Sequence, residues 1–301
     1  MHDTQKSVSV FAPAKLNLYL HITGKREDGY HLLDSLVCFT DIGDQIIIES
    51  AKAFSFVIKG PFAQSFTAQD KDPSPQSSNL VPRAVWALSK ATGRKPDIRI
   101  TLVKNIPLGS GIGGGSIDAA ATLWGLNEWW GLSSNAPYLD SLMLELGSDV
   151  PVSFQCLPMR MRGIGEALSP APDIPELHAL FVHCGKPSGT IDAYKNFSAP
   201  FRSEVDVPDH FESTEHFIDF LKSTDNMLTE PALKNIPDIA FVLDTLQNQH
   251  GTLISRMSGS GSTCFALFKS EEDCFNAAEN IIRENPLWWV RTGTINRPQR
   301  Y

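Results

Sequence analysis

The stretch that decides the fold runs from Leu108 to Asn127: Leu-Gly-Ser-Gly-Ile-Gly-Gly-Gly-Ser-Ile-Asp-Ala-Ala-Ala-Thr-Leu-Trp-Gly-Leu-Asn. Gly109, Gly111, Gly113, Gly114 and Gly115 crowd its first part. Glycine tolerates φ > 0 and has no Cβ, so backbone N–H groups can converge on a ligand oxygen. The residues from Ser116 to Trp130 are rich in Ala, Leu and Trp, and Gly131 follows them; they read as a helix with its stop signal. The glycine run therefore opens a helix, whose unpartnered N–H groups and dipole favour an anion. That combination predicts a phosphate-binding loop. A flexible linker does not normally lead into such a helix. A Walker A loop needs a Lys that is missing here. The pattern Gly109-x-Gly111-x-x-Gly114 also fits a bare dinucleotide fingerprint, but Pro107 separates it from the strand before and no clean βαβ unit follows.

Outward from the loop, the first half reads as strands and then helices. SVSVFAPAKLNLYLHI, QIIIES, FSFVIKG and IRITLVK are rich in Val, Ile and Phe and partly alternate. A Pro/Ser/Asp-rich loop, AQDKDPSPQSSNL, precedes a helix with Asn79 as N-cap and Gly93 just past its end. A further helix spans roughly Pro137 to Leu146, and a turn then carries Asp149. Pro and Met accumulate over 156–176, which marks the division into residues 1–160 and 161–301. The second half alternates: HALFVHC as strand, helices over Thr214–Lys222 and Asp238–Gln249, two strands around Ser258-Gly259-Ser260-Gly261-Ser262, a helix over Asp273–Glu284, and the strand WWVRTGTI. The expected class is α+β.

Composition excludes several classes of function. With 301 residues and 42% hydrophobic content, the chain can bury one large core or two smaller ones. Its net charge of −8 gives no basic field for nucleic acid. No apolar run is long enough to span a bilayer, and MHDTQKSVSV lacks the apolar and Arg-rich patterns of targeting segments. The five cysteines are widely spaced without a C-x-x-C, which suits buried free thiols and a cytoplasmic setting. The eight histidines show no metal-ligand spacing, and no G-x-S-x-G or H-E-x-x-H pattern is present.

Three further candidates stand out. Lys15 and Asn17, two apart on a strand, face the same side and bring an ammonium and an amide to one spot. Asp149 offers a carboxylate on a turn. The Ser/Gly loop 258–262 can donate backbone N–H groups or simply pack closely. Taken alone, Lys15 reads as a solvated edge-strand lysine and Asp149 as a capping or surface carboxylate.

Together, in this order, they resemble the GHMP kinase superfamily. PAKLNLYLHITGKREDGYHLLDSL, DIGDQI, SSNLVPRA, IPLGSGIGGGSIDAAATLWGLN, LGSDVPVSF, GIGEALSP and SRMSGSGS narrow the resemblance to the 4-diphosphocytidyl-2-C-methyl-D-erythritol kinases of the non-mevalonate isoprenoid route. The segment from Phe197 to Thr224 carries none of it. The resemblance implies an N-terminal domain like the second domain of ribosomal protein S5, a ferredoxin-like C-terminal domain, and a site in the cleft between them. It implies ATP as phosphate donor, Mg²⁺, and a small cytidine diphosphate substrate, with no nucleic-acid or membrane partner. By position in the motifs, Asp149 corresponds to the catalytic base and Lys15 to the catalytic lysine. The ATP phosphate loop corresponds to Pro107, Leu108, Gly109, Ser110, Gly111, Ile112, Gly113, Gly114, Gly115, Ser116 and Ile117. Asn79, Leu80 and Lys104 fall at the adenine pocket. Tyr30 and His31 fall at the cytosine, lifted out of the sheet by the turn Gly-Lys-Arg-Glu-Asp-Gly; Tyr194 falls where an aromatic closes over the base, and Asn17 at the sugar-alcohol. Ile117 departs from the family pattern, which has a second hydroxyl there, so any contact of that hydroxyl passes to Ser116. Another GHMP small-molecule kinase and a non-catalytic nucleotide-binding regulator are the alternatives.

Overall fold

The computed structural model describes residues 7–296; the first six residues, part of the stretch read as lacking a targeting signal, lie outside it. Two long strands organise the first half. β1 (Ser7–Lys25) and β2 (His31–Ser50) pair antiparallel over almost their whole length. The opposite edge of β2 carries two partners in turn: residues 33–37 pair with β5 (Met159–Gly163), and residues 45–50 with β4 (Ile98–Val103). β3 (Ser55–Lys59) lies parallel to β4, joined to it through α1 (Leu80–Thr92). β6 (Ala167–Pro170) completes a hairpin with β5. The turn at 26–29 is tight: Arg26 N–H donates to the Tyr30 carbonyl at 2.7 Å and His31 pairs with Lys25. His31 is thus the first residue of β2 and is not lifted out of the sheet, which corrects the expectation.

α1 follows its sequence signals. The Asn79 side chain accepts from Val81 N–H at 2.9 Å, and Gly93 takes a left-handed φ of 69°. α2 (Gly114–Trp130) begins two residues before the expected Ser116, because the last two glycines of the run already belong to its first turn. Residues from Ile117 to Leu126 bury it on nearly every side, against β1, β2 and α1. Gly125 permits this: a Cβ there would lie 2.7 Å from Ile48 Cδ1. α3 (Tyr138–Leu146) and a short α4 (Val150–Gln155), absent from the sequence reading, close this layer.

The second half contains β7 (Leu177–His183), α5 (Thr190–Lys195), α6 (Thr214–Lys222), α7 (Thr229–Asn235), α8 (Asp238–Gln247), β8 (Thr252–Met257), β9 (Cys264–Phe268), α9 (Glu271–Glu284) and β10 (Trp289–Ile295). Its strands run antiparallel in the order β10-β7-β9-β8. Numbered within the domain this is 4-1-3-2, with helices after its first and third strands, the ferredoxin-like arrangement. Ile295 of β10 pairs with Thr40 of β2 and joins the two sheets. The expected division after residue 160 cuts through β5; strand pairing puts the change of sheet after Pro170. Cys38, Cys156, Cys264 and Cys274 are buried and Cys184 is partly buried, all as unbridged cysteines. Among the described residues no helix is long and apolar enough to cross a membrane.

Candidate active site

A cavity of about 910 Å³ opens between the two halves. One wall is the glycine run. Gly109, Gly111 and Gly113 adopt φ of 60°, 73° and 78°, a left-handed backbone that a Cβ disfavours. The loop leans on the second half of the chain: a Cβ on Gly111 would lie 2.5 Å from the Ser258 carbonyl oxygen, and one on Gly109 would lie 2.8 Å from Pro187 Cβ. Thr263 N–H donates to the Ser110 carbonyl at 3.0 Å, and Ser188 N–H to that of Gly109 at 2.9 Å. The Ser/Gly loop after β8 therefore buttresses the glycine run, while Gly259 and Ser260 also reach the cavity. Pro107, Leu108, Gly109, Ser110, Gly111, Gly113, Gly114, Gly115 and Ser116 line the cavity as expected. The side chains of Ile112 and Ile117 do not. Both are buried, Ile112 against Ala14 and Ile106, Ile117 in the core beneath α2, because the chain alternates between cavity and core there.

Lys15 lies at the centre. Its ammonium is 2.9 Å from the Asp149 carboxylate and donates to Asn17 Oδ1 at 3.2 Å. Asn17 in turn donates to Ser35 Oγ at 2.9 Å, and Ser35 donates to the Tyr19 carbonyl at 2.5 Å. This chain of bonds leaves the Lys15 stem buried and its head fixed. Asp149 is the residue immediately before α4 and keeps about a third of its side chain exposed (36%), so one face stays open to the cavity.

Lys104, expected at the adenine pocket, lines the cavity with Asn79 and Leu80. Its ammonium is buried and held by Asp44 at 2.5 Å and Asp118 at 2.7 Å, directly beneath Gly114 at the start of α2. Asp44 also accepts from Asn105 N–H at 2.6 Å and Ile106 N–H at 2.9 Å. Burial alone would lower the Lys104 pKa; Asp118 and Asp44 reverse this and raise it. Burial raises Asp118 well above the usual carboxylate range, Lys104 opposes it and Asp44 adds to it. Lys104 borders the cavity, yet its charge is committed to this cluster. Asn79 and Leu80 line the same end, joined by Phe66, Asp70 and Ser78 from the Pro/Ser/Asp-rich loop. Asp70 holds that loop by accepting from Thr67 N–H at 2.8 Å and Ser78 Oγ at 2.5 Å.

At the opposite end stand Tyr30, His31 and Tyr194. Tyr30 is 61% exposed at the mouth. His31 and Tyr194 stack with centroids 5.6 Å apart and planes 27° from parallel. Burial and the Lys25 ammonium lower the His31 pKa, and burial raises that of Tyr194. Lys25, Thr190, Ile191 and Lys195 also line this end. The sequence reading missed them, although Lys195 follows Tyr194 and Lys25 pairs with His31 across the strands.

Residues 79–156 match the model of the GHMP kinases N terminal domain, and residues 215–286 that of the GHMP kinases C terminal domain. The 4-diphosphocytidyl-2-C-methyl-D-erythritol kinase of Ruegeria pomeroyi is 40% identical over 96% of this chain and 99% of its own length. That of Paramagnetospirillum magneticum is 39% identical over 94% and 97%. The chain belongs to the 4-diphosphocytidyl-2-C-methyl-D-erythritol kinase family. A solved 4-(cytidine 5'-diphospho)-2C-methyl-D-erythritol kinase superposes on this family member with a TM-score of 0.76 at 28% identity, covering 96% of this chain and 99% of that one. The homoserine kinase of Cytophaga hutchinsonii shares the fold, with a TM-score of 0.71 at 18% identity over 98% and 96% of the two chains. The cavity of the kinase is thus lined by the glycine run, the Lys15–Asp149 pair and the rings of Tyr30, His31 and Tyr194.

Proposed function

We propose that this kinase transfers the γ-phosphate of ATP to a hydroxyl of 4-diphosphocytidyl-2-C-methyl-D-erythritol. The observation that carries the reading is the Lys15–Asp149 pair at 2.9 Å, lying in one cavity with both the glycine loop and the Tyr30, His31 and Tyr194 group. Phosphoryl transfer needs positioning and charge neutralisation more than covalent chemistry. The N–H groups of the loop and of the first turn of α2 receive the ATP phosphates. Asn79 and Leu80 flank the adenine. Asn17 faces the sugar-alcohol, and His31 reads the cytosine edge between aromatic faces.

In the reaction, the substrate oxygen forms a bond to the γ-phosphorus while the bond from that phosphorus to the β-phosphate bridging oxygen breaks. The hydroxyl proton passes to Asp149. As a weak base, the carboxylate orients the hydroxyl and takes the proton late. Lys15 fixes Asp149 and offsets the charge that develops on the transferred group. Among the described residues no three His, Cys, Asp or Glu side chains gather to cage a metal. That donor set suits Mg²⁺ held mainly by nucleotide oxygens and water. Ser116 would supply a protein hydroxyl, and the ion would supply charge neutralisation on the phosphates. The free cysteines support a cytoplasmic setting.

The test is a coupled ADP-release assay with the cytidine substrate, ATP and Mg²⁺. ADP release that depends on that substrate, and exceeds turnover of its uridine analogue, is expected. Equal use of both nucleotides would remove the cytosine pocket from the reading.

A further inference from the structure

The segment after α5, which carries no family motif, has no regular secondary structure between Asn196 and Ser213. It is nevertheless held at two points. Arg202 N–H donates to the Ile22 carbonyl at 2.9 Å, and its guanidinium meets Asp225 at 2.8 Å, beside His21. Three residues on, Val205 N–H donates to the buried Asp34 carboxylate at 2.7 Å, and its carbonyl accepts from Arg160 at 2.9 Å. Asp34 is also gripped by both nitrogens of the Arg160 fork, at 2.8 and 2.9 Å. The loop is thus tied by two main-chain bonds at Val205 to the Asp34–Arg160 pair and by Arg202 to Ile22 and Asp225. These anchors fix the rings that precede them.

Those rings are Phe197 and Phe201, stacked on each other at 6.2 Å with planes 14° apart. Both meet the His31 imidazole edge-on, Phe197 at 5.6 Å and 79°, Phe201 at 6.5 Å and 65°. Tyr194 stacks on the same imidazole. Phe201 is half exposed, at 51%, so its ring is poorly used as core. A histidine ring turns about one broad torsion, and turning exchanges which ring atoms face a ligand. Rings on several sides restrict that turning.

We propose that Phe197 and Phe201 are positioning residues for base recognition: held by the Arg202 and Val205 anchors, they keep the His31 imidazole in one orientation toward the cavity and so set discrimination among nucleobases. The proposal rests on the reading of His31 as the group that meets the base. Phe201 is not among the residues that line the cavity with the glycine loop, Lys15 and Asp149, so its effect is expected on one substrate only.

The experiment compares wild type, Phe201→Ala and Phe201→Tyr by steady-state kinetics with the cytidine substrate, its uridine analogue and ATP, alongside thermal melting. Phe201→Ala is expected to raise KM for the cytidine substrate about 3- to 10-fold, the scale of one freed side chain, with kcat and KM for ATP unchanged. The cytidine-to-uridine preference falls by the same factor, and Phe201→Tyr restores both. If Phe201→Ala keeps the preference of a discriminating wild type, this proposal fails and the base reading stands. If KM for ATP and the melting temperature move together with KM for the cytidine substrate, the rings are only structural and the proposal is overturned. A wild type that does not discriminate sinks the base reading and this proposal with it.

Discussion

Replacing Lys104 by Met keeps most of the stem and removes the ammonium that meets the buried Asp44 and Asp118 carboxylates. Asp44 retains its backbone donors from Asn105 and Ile106. Asp118 fares worse: its Oδ1 is buried without a hydrogen-bond partner, and the substitution takes the 2.7 Å donor from Oδ2. Removing one partner of a buried pair costs about 3–5 kcal/mol, mostly the penalty of the charge left behind. A typical unfolding entropy per residue, taken over the whole chain, converts that to a melting point about 5–8 °C lower. The pH dependence follows from Asp118. A carboxylate whose folded pKa lies above its unfolded value binds more protons when native, so its contribution to stability falls as pH rises through that window. Without the ammonium the window widens upward. The deficit of Lys104→Met relative to wild type should therefore be largest near neutrality and shrink as pH falls toward about 4. Scanning calorimetry across that range, with Lys104→Met/Asp118→Asn as the rescue, measures it; the double variant should recover more than half of the loss. A single variant melting within about 1 °C of wild type, or a deficit that does not change with pH, would refute the charge-cluster argument.

Asp149→Asn should lower kcat at least ~10²-fold while ATP affinity stays within a few-fold, because the carboxylate acts on the hydroxyl and not on the nucleotide; near-normal turnover removes it from the mechanism. Gly113→Ala places a Cβ 2.9 Å from Ile117 Cδ1 and 3.2 Å from Lys15 Cβ at a φ of 78°. It should weaken ATP binding by at least ~10-fold with the fold retained, since left-handed backbone costs about 1–2 kcal/mol before any shift of the loop; unchanged binding in calorimetry would move the phosphate site elsewhere.

What could be read from the chain was local. Asn79 and Gly93 bracket α1 because caps act within a few residues, and Lys15 with Asn17 could be paired because a strand repeats every two. The glycine run declared itself for the same reason. The buried cluster around Lys104 was hidden because its partners lie 60 and 14 positions away. The full length of β2 was obscured by Asp34, Asp41, Gly43 and Asp44, polar or flexible residues whose partners come from other elements. α5 and α7 are six and seven residues long, too short to show a period. The anchors of the segment after α5 span 171 positions from Val205 to Asp34, beyond any local signal.

The contact between the glycine run and the Ser/Gly loop joins atoms 147 positions apart, Ser258 Oγ donating to the Gly111 carbonyl at 3.2 Å. On the proposed placement of ATP at the glycine run, nucleotide binding is coupled to the docking of the two halves. At a hundredfold excess over Kd, a ligand that recognises only the docked chain stabilises it by about 2.7 kcal/mol, and that gain belongs to the seam and to neither half alone. During synthesis, a chain released as far as α2 already displays every glycine of the loop but lacks the backing that shapes it. On that placement, a lesion that loosens the distant hairpin of β8 and β9 is expected to register as weakened grip on ATP.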